Sequence, residues 1–343
     1  MPFIQDILKN KSVSIVGMAK NTGKTTCLNY VLGRLEEEKC RVAVTSIGVD
    51  GEERDILYDT LKPRILLKKS NYFITSEKHF EERELEAEIL SISNKTTALG
   101  RLITAKVIKE GKVILSGPSD SIWLHDCIES LNNFKTDIVL VDGALSRMSL
   151  ASPAITDAMV LCTGAACAIQ LEQLIKKVKY ICGLINISQV NDSLYKLCNP
   201  IQEGVWGVSK DGKQLEKIAT SLFIGLKFNS ELVEKYKYFY IAGALTESFL
   251  KTLSIEKKVS NINLIVKDFS KIFVQSATFN KFIRRGGNIQ VLKKANLIAV
   301  CTNPTSPESY NYEPEVLRNA IQNELNIPVY DVMQEVNKKY NKI

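Results

Sequence analysis

The chain has 343 residues, 45% of them hydrophobic and 24% charged, with a formal net charge of +7. That length suits two domains, or one large α/β domain with an appendage, and the balance is that of an ordinary globular protein rather than a disordered or membrane-spanning one. The positive surplus sits in short lysine clusters, such as Lys176 to Lys179 and Lys251 to Lys258, with no arginine-rich or aromatic-interleaved stripe, so nucleic acid is not an expected partner.

In chain order, the apolar run Val13 to Val16 predicts a strand, and the amphipathic run up to Glu38, with Leu28, Val31, Leu32 and Leu35, predicts a helix. Between them lies Gly17-Met18-Ala19-Lys20-Asn21-Thr22-Gly23-Lys24-Thr25-Thr26. A glycine-bounded loop between a strand and a helix is the setting of a phosphate-binding P-loop. Its backbone N–H groups and the helix N-terminus favour an anion. Gly23 lets the backbone approach the phosphates, Lys24 adds charge, and the Thr25 hydroxyl is a ligand for Mg²⁺. Five residues separate Gly17 from Gly23, one more than the common pattern, and Met18 takes the usual first-glycine place.

Arg41 to Gly48 predicts a second, buried strand, completing a βαβ unit. Asp50 stands just beyond it, beside the loop, as a candidate for Mg²⁺ contact or for a switch sensing the γ-phosphate; a polar turn residue is the other reading. Residues 60–117 break the βα rhythm. Asn71 to Thr75 and Leu85 to Ser93 read as extended, and Leu102 to Lys109 and Lys112 to Leu115 as strands around a Glu110-Gly111 turn, a β-rich insertion. Ser119 or Asp120 is placed to cap a helix running to about Asn132.

Asp137 to Ala144 is four apolar residues ending in Asp142-Gly143. A carboxylate at the tip of a buried strand, paired with a P-loop, is where Mg²⁺ or its waters are held. Ser146-Arg147 follows in an expected switch loop, with Arg147 either assisting the charge or lying on the surface. Ala158 to Gly164 predicts a strand, Ala166 to Tyr180 a helix and Ile181 to Asn186 another strand, with Asn186 either reading a base by its amide or ending a turn. The turn-rich residues 187–215 suggest a short hairpin. Beyond them, Tyr238 to Ala242, Ile262 to Val266, Leu297 to Cys301 and Pro328 to Val332 predict strands, and Glu313 to Leu325 a helix. The expected architecture is α/β: a mostly parallel P-loop NTPase sheet in a 1–215 domain, a β-rich insertion at about 60–117, and a smaller α/β domain at 216–343. Asn303 and Asp331, at strand ends of the latter, are weaker candidates for a second site.

Eight cysteines show no paired spacing, and His79 and His125 are the only histidines, which argues against a zinc site. Cysteines in apolar runs suit reduced core thiols and a cytoplasmic setting. The start Met-Pro-Phe-Ile-Gln-Asp predicts no leader, and no run reaches the roughly 18 apolar residues of a membrane span.

The loop Gly17 to Thr25 has the spacing of dethiobiotin synthetase, and Lys20 to Thr26 resembles that of MobB-type adaptor GTPases. Both belong to the SIMIBI class of P-loop NTPases. The resemblance covers mainly 12–60 and 136–190 and implies that Lys24, Thr25, Asp50 and Asp142 take the phosphate and Mg²⁺ roles. The class's signature lysine falls at Ala19 here, with Lys20 one residue off, which departs from a MinD-like lysine reaching across a homodimer. Gly17 to Thr26 together with Thr45 to Glu52 is also similar to the ATPase component of the lysine 5,6-aminomutase reactivase. That resemblance implies a MutS-like partner subunit and an aminomutase. The expected activity is Mg²⁺-dependent ATP hydrolysis coupled to a protein partner, with Lys24 and Asp142 catalytic and residues 17, 20–26 and 186 holding nucleotide. A dethiobiotin-synthetase-like ligase or kinase and a nucleotide-binding adaptor are the alternatives. ATP is preferred because no N-K-x-D run follows an apolar strand.

Overall fold

The computed structural model describes residues 3–48, 54–55, 60–61, 64–118, 120–144, 155–220, 230–256 and 258–335. The chain forms two compact units, Met1–Lys179 with Asn296–Ile343, and Tyr180–Ala295.

The first unit is an α/β structure on a nine-stranded sheet, in the order Val329–Tyr330, Leu297–Asn303, Ala158–Gly164, Ser12–Gly17, Ile138–Ala144, Val42–Ser46, Tyr72–Ser76, Gly100–Lys109, Glu86–Thr97. Neighbours are parallel up to Tyr72–Ser76, and the last two strands run antiparallel. The central strands are buried along their whole length because both faces are covered. One face packs against the helices Ile4–Leu8 and Lys24–Glu37, through Cys27, Leu28, Val31 and Leu35. The other packs against Ser121–Asn132, through Leu124, Cys127, Ile128 and Leu131. Asp120 caps that helix by accepting from Trp123 N at 2.8 Å.

The second unit holds a five-stranded sheet in the order Leu215–Ala219, Val205–Ser209, Tyr236–Ile241, Asn263–Val266, Asn288–Val291. The first two pairings are antiparallel and the last two parallel; the first is a hairpin whose second strand, Leu215–Ala219, runs beyond the 187–215 stretch expected to hold a hairpin.

Three expectations are corrected. The units do not divide at 215: Leu297–Asn303 pairs with Ala158–Gly164, so residues after 296 return to the first sheet instead of closing a 216–343 domain. A strand buried along nearly its whole length needs neighbours on both sides, and the first sheet supplies them. Residues 181–185 are not a strand but the end of the helix Leu171–Ile185. Leu174, Val178, Cys182 and Ile185 repeat at helical spacing and are all buried, so this short apolar run suited either periodicity. Finally, the strand Gly111–Val113 pairs with Ile65–Leu67, and Gly100–Lys109 turns back on Glu86–Thr97 instead. Gly111 serves close approach: a Cβ there would lie 2.1 Å from Glu84 O.

The 64–118 segment supplies three strands of this sheet, and buried polar contacts hold its end against the Tyr72–Ser76 strand. Ser116 Oγ accepts from Ser76 N at 2.8 Å and lies 3.0 Å from both Thr75 Oγ1 and His79 Nδ1. This anchors Gly117-Pro118 beside the end of the Val42–Ser46 strand, where Gly48 N donates to Pro118 O at 2.8 Å. Among the described residues, no helix is long and apolar enough to cross a membrane.

Candidate functional site

The parallel strands Ser12–Gly17, Ile138–Ala144, Ala158–Gly164 and Leu297–Asn303 end side by side, with Gly17 opposite both Ala144 and Cys162, and Gly164 opposite Asn303. Ligands of open α/β sheets bind beyond such carboxyl ends.

Here the chain leaves Gly17 into a loop braced from several sides. Met18 N donates to Cys162 O at 2.9 Å, and the buried Thr22 hydroxyl donates to Ala19 O at 3.0 Å. A Cβ on Gly17 would lie 2.7 Å from that hydroxyl. Asn21 and Gly23 both take the left-handed conformation, with φ of 59° and 78°. Gly23 is the N-cap of the 14-residue helix Lys24–Glu37, with no side-chain cap and no acid in the first turn. The helix therefore directs its N-terminal N–H groups and positive dipole end at the loop without a carboxylate of its own to neutralise them.

Lys24 and Asp142 meet at this mouth. Lys24 Nζ lies 3.2 Å from Asp142 Oδ1, and their side chains are 27% and 18% exposed. No strand intervenes between the two that carry the loop and the carboxylate, which brings Asp142 within reach of the helix's first residue. Asp142 is held in turn from the Val42–Ser46 strand: Ile47 N donates to its carbonyl at 2.8 Å and Ser46 Oγ to the same oxygen at 3.3 Å.

Among the predicted residues, the structure brings together Gly17, Asn21, Thr22, Gly23, Lys24 and Asp142. Thr25 is half-buried, and Lys20 and Thr26 are exposed, in the same loop and first helical turn. Asp50, Ser146 and Arg147 lie outside the described residues. Asn186 is not at a strand tip: it is an exposed residue just past the Leu171–Ile185 helix, its N–H donating to Cys182 O at 3.0 Å. Asp331 forms no second site. It is 2% exposed, burial pushes its carboxyl above the usual range, and Oδ1 accepts from Met333 N and Gln334 N at 3.0 and 3.2 Å.

Asn303 belongs to the loop instead of to a separate domain. Its Nδ2 donates to Asn21 O at 3.0 Å, and its Oδ1 accepts from Thr305 Oγ1 at 2.8 Å. A Cβ on Gly23 would lie 2.9 Å from Asn303 Cβ. The sequence signal was a polar residue closing an apolar strand run, which identified the strand end but not its neighbour. Beneath the loop, Cys27, Cys162 and Cys301 are buried as free thiols, with Cys27 Sγ 3.5 Å from Cys301 Sγ. Among the described residues, no group of three His, Cys, Asp or Glu is arranged to hold a metal by protein ligands alone.

No family model, curated protein or solved structure matches the chain.

Proposed function

We propose that the chain is a SIMIBI-type P-loop ATPase that needs Mg²⁺ and couples nucleotide turnover to a protein partner. The observation that carries this reading is the Lys24–Asp142 pair at the mouth of the uncapped helix. A cationic amine, a strand-end carboxylate and helix N–H groups without a side-chain cap at one point suit a Mg²⁺-bound phosphate chain.

The residues present fit these groups. Gly17 and Gly23 stand where a Cβ would strike Thr22 Oγ1 or Asn303 Cβ, so the loop keeps this close-packed course only with glycine at both places. Thr25 and Asp142 are hard oxygen donors of the kind Mg²⁺ takes one or two at a time, its other ligands being water and phosphate. Bound there, Mg²⁺ would supply charge neutralisation on the phosphates. Lys24 would exchange Asp142 for the terminal phosphates, the helix N-terminus would hold them, and Asp142 would orient the metal's shell; catalysis is positioning and electrostatic stabilisation. Asn303, by fixing Asn21 and Gly23, keeps the loop in its anion-ready conformation.

The narrower proposal is reactivation of a cobalamin-dependent aminomutase with a MutS-like subunit. It rests on the likeness of Gly17 to Thr26 and Thr45 to Glu52, of which 49–52 lie outside the described residues.

The test is thermal stability and phosphate release with ATP, with and without Mg²⁺, for the wild type and Lys24→Ala. The expected result is a melting temperature raised several degrees by ATP·Mg²⁺ in the wild type only, with slow phosphate release. An equal rise in Lys24→Ala would overturn the site. Binding without turnover would favour the adaptor, and turnover that needs an added small carboxylate would favour the ligase or kinase.

A further inference from the structure

The strand Glu86–Thr97 closes one edge of the nine-stranded sheet, and among the described residues no strand lies on its outer side. Its register places Ala87 beside Val107, Ile89 beside Ala105 and Ile92 beside Ile103. Val107, Ala105 and Ile103 are buried in the core that also holds Phe73 and Phe80. Side chains paired across a ladder share a sheet face, so Ala87, Ile89 and Ile92 extend that apolar face one strand beyond its cover. Ile89 is 48% exposed and Ile92 42%.

The opposite face of the same strand is charged, and the charges are ordered. Glu88 pairs with Lys106, whose ammonium lies over the Tyr72 ring, and Lys95 lies over Trp123. Tyr72 and Trp123 both pack against the core on that side. Glu88 and Lys95 thus share one face, with the acid toward one end of the strand and the base toward the other.

We propose that this edge is the contact between two copies of the chain, joined antiparallel about a two-fold axis near Ser91. An isologous contact needs a self-complementary surface. Antiparallel pairing here sets Glu88 of each copy against Lys95 of the other on one face. On the other face it brings the two Ile89–Ile92 patches together and removes them from water. A partner of uniform charge would meet one end and be repelled by the other. A two-fold contact uses the edge of each copy once, so it closes at two copies and does not propagate. The interface does not depend on what the Gly17–Thr26 loop binds.

Sedimentation equilibrium of the full chain at micromolar concentration and low salt tests it. The wild type is expected to be dimeric, with a melting temperature that rises with protein concentration, and the Ile89→Lys/Ile92→Lys variant a folded monomer with an unchanged circular dichroism spectrum and a concentration-independent melt, since both positions are exposed. Glu88→Lys and Lys95→Glu should each weaken the dimer several-fold, and the double reversal should restore it, because each copy then presents swapped but still complementary charges. A monomeric wild type, a lysine variant that still dimerises, or a double reversal as weak as the single changes would each overturn the proposal.

Discussion

Lys24 Nζ and Asp142 Oδ1, 3.2 Å apart, join the first residue of the loop's helix to the tip of the neighbouring strand. An amine held by a carboxylate is available to a phosphate only if the phosphate outcompetes it. Asp142→Asn leaves the ammonium facing an amide, so the free protein should lose about 1 kcal/mol of stability, as partly shielded pairs do. ATP-dependent stabilisation should persist, because Lys24 is no longer engaged, while phosphate release falls at least about tenfold. Thermal shift and a phosphate assay on the same preparation separate the two effects; unchanged turnover would remove Asp142 from the site.

Gly23 is constrained twice, by its φ of 78° and by the 2.9 Å approach of Asn303 Cβ to any Cβ it might carry. Gly23→Ala should cost about 1–2 kcal/mol from backbone strain alone, more from the contact, and should abolish ATP-dependent stabilisation. Asn303→Gly relieves the contact but not the strain. The double variant should therefore recover part of the lost stability, with a coupling above about 0.5 kcal/mol in a double-mutant cycle. Strict additivity would show that the two residues do not press on each other.

What could be read from residues alone was local. The apolar run ending in Asp142 and the glycine-bounded loop before an amphipathic helix each carry their signal within a dozen positions, and both sit where that signal placed them. Asn303 could not be placed by the same means: its contact with Asn21 spans 282 positions and depends on Leu297–Asn303 returning to the first sheet after the whole 180–295 unit. Residues 181–185 failed differently, because a short apolar run fits a strand or the last turns of a helix, and only packing of Cys182 and Ile185 decides.

Two glycines should respond to alanine with opposite signs. Gly117 packs so closely on the Val42–Ser46 strand that a Cβ would stand 1.9 Å from Ser46 O, a backbone atom that cannot swing away. Gly117→Ala should cost more than about 3 kcal/mol. Gly33 lies on the exposed side of the Lys24–Glu37 helix with nothing within 4 Å of its would-be Cβ. There alanine should stabilise by about 0.5–1 kcal/mol, the difference in helix propensity. Denaturant melts of the two variants check both signs, and a Gly117→Ala protein as stable as the wild type would refute the close approach.

Buried thiols set a limit on alkaline stability. Burial pushes Cys127 and Cys182 up to about 12 and Cys198 up to about 11, from an ordinary value of 9.0. Above pH 9 the unfolded chain releases these protons while the folded chain keeps them. The folded state then binds more protons, and stability falls as pH rises. The contribution is complete below about pH 9 and is lost progressively toward the folded values of 11 to 12. Within that window each thiol should remove on the order of 1 kcal/mol per pH unit. Melting temperatures measured from pH 8 to pH 11 should therefore drop, and Cys182→Ala, although less stable at pH 8 through its lost packing, should show a shallower slope. Parallel slopes for the two proteins would mean that burial does not hold this thiol in its protonated form.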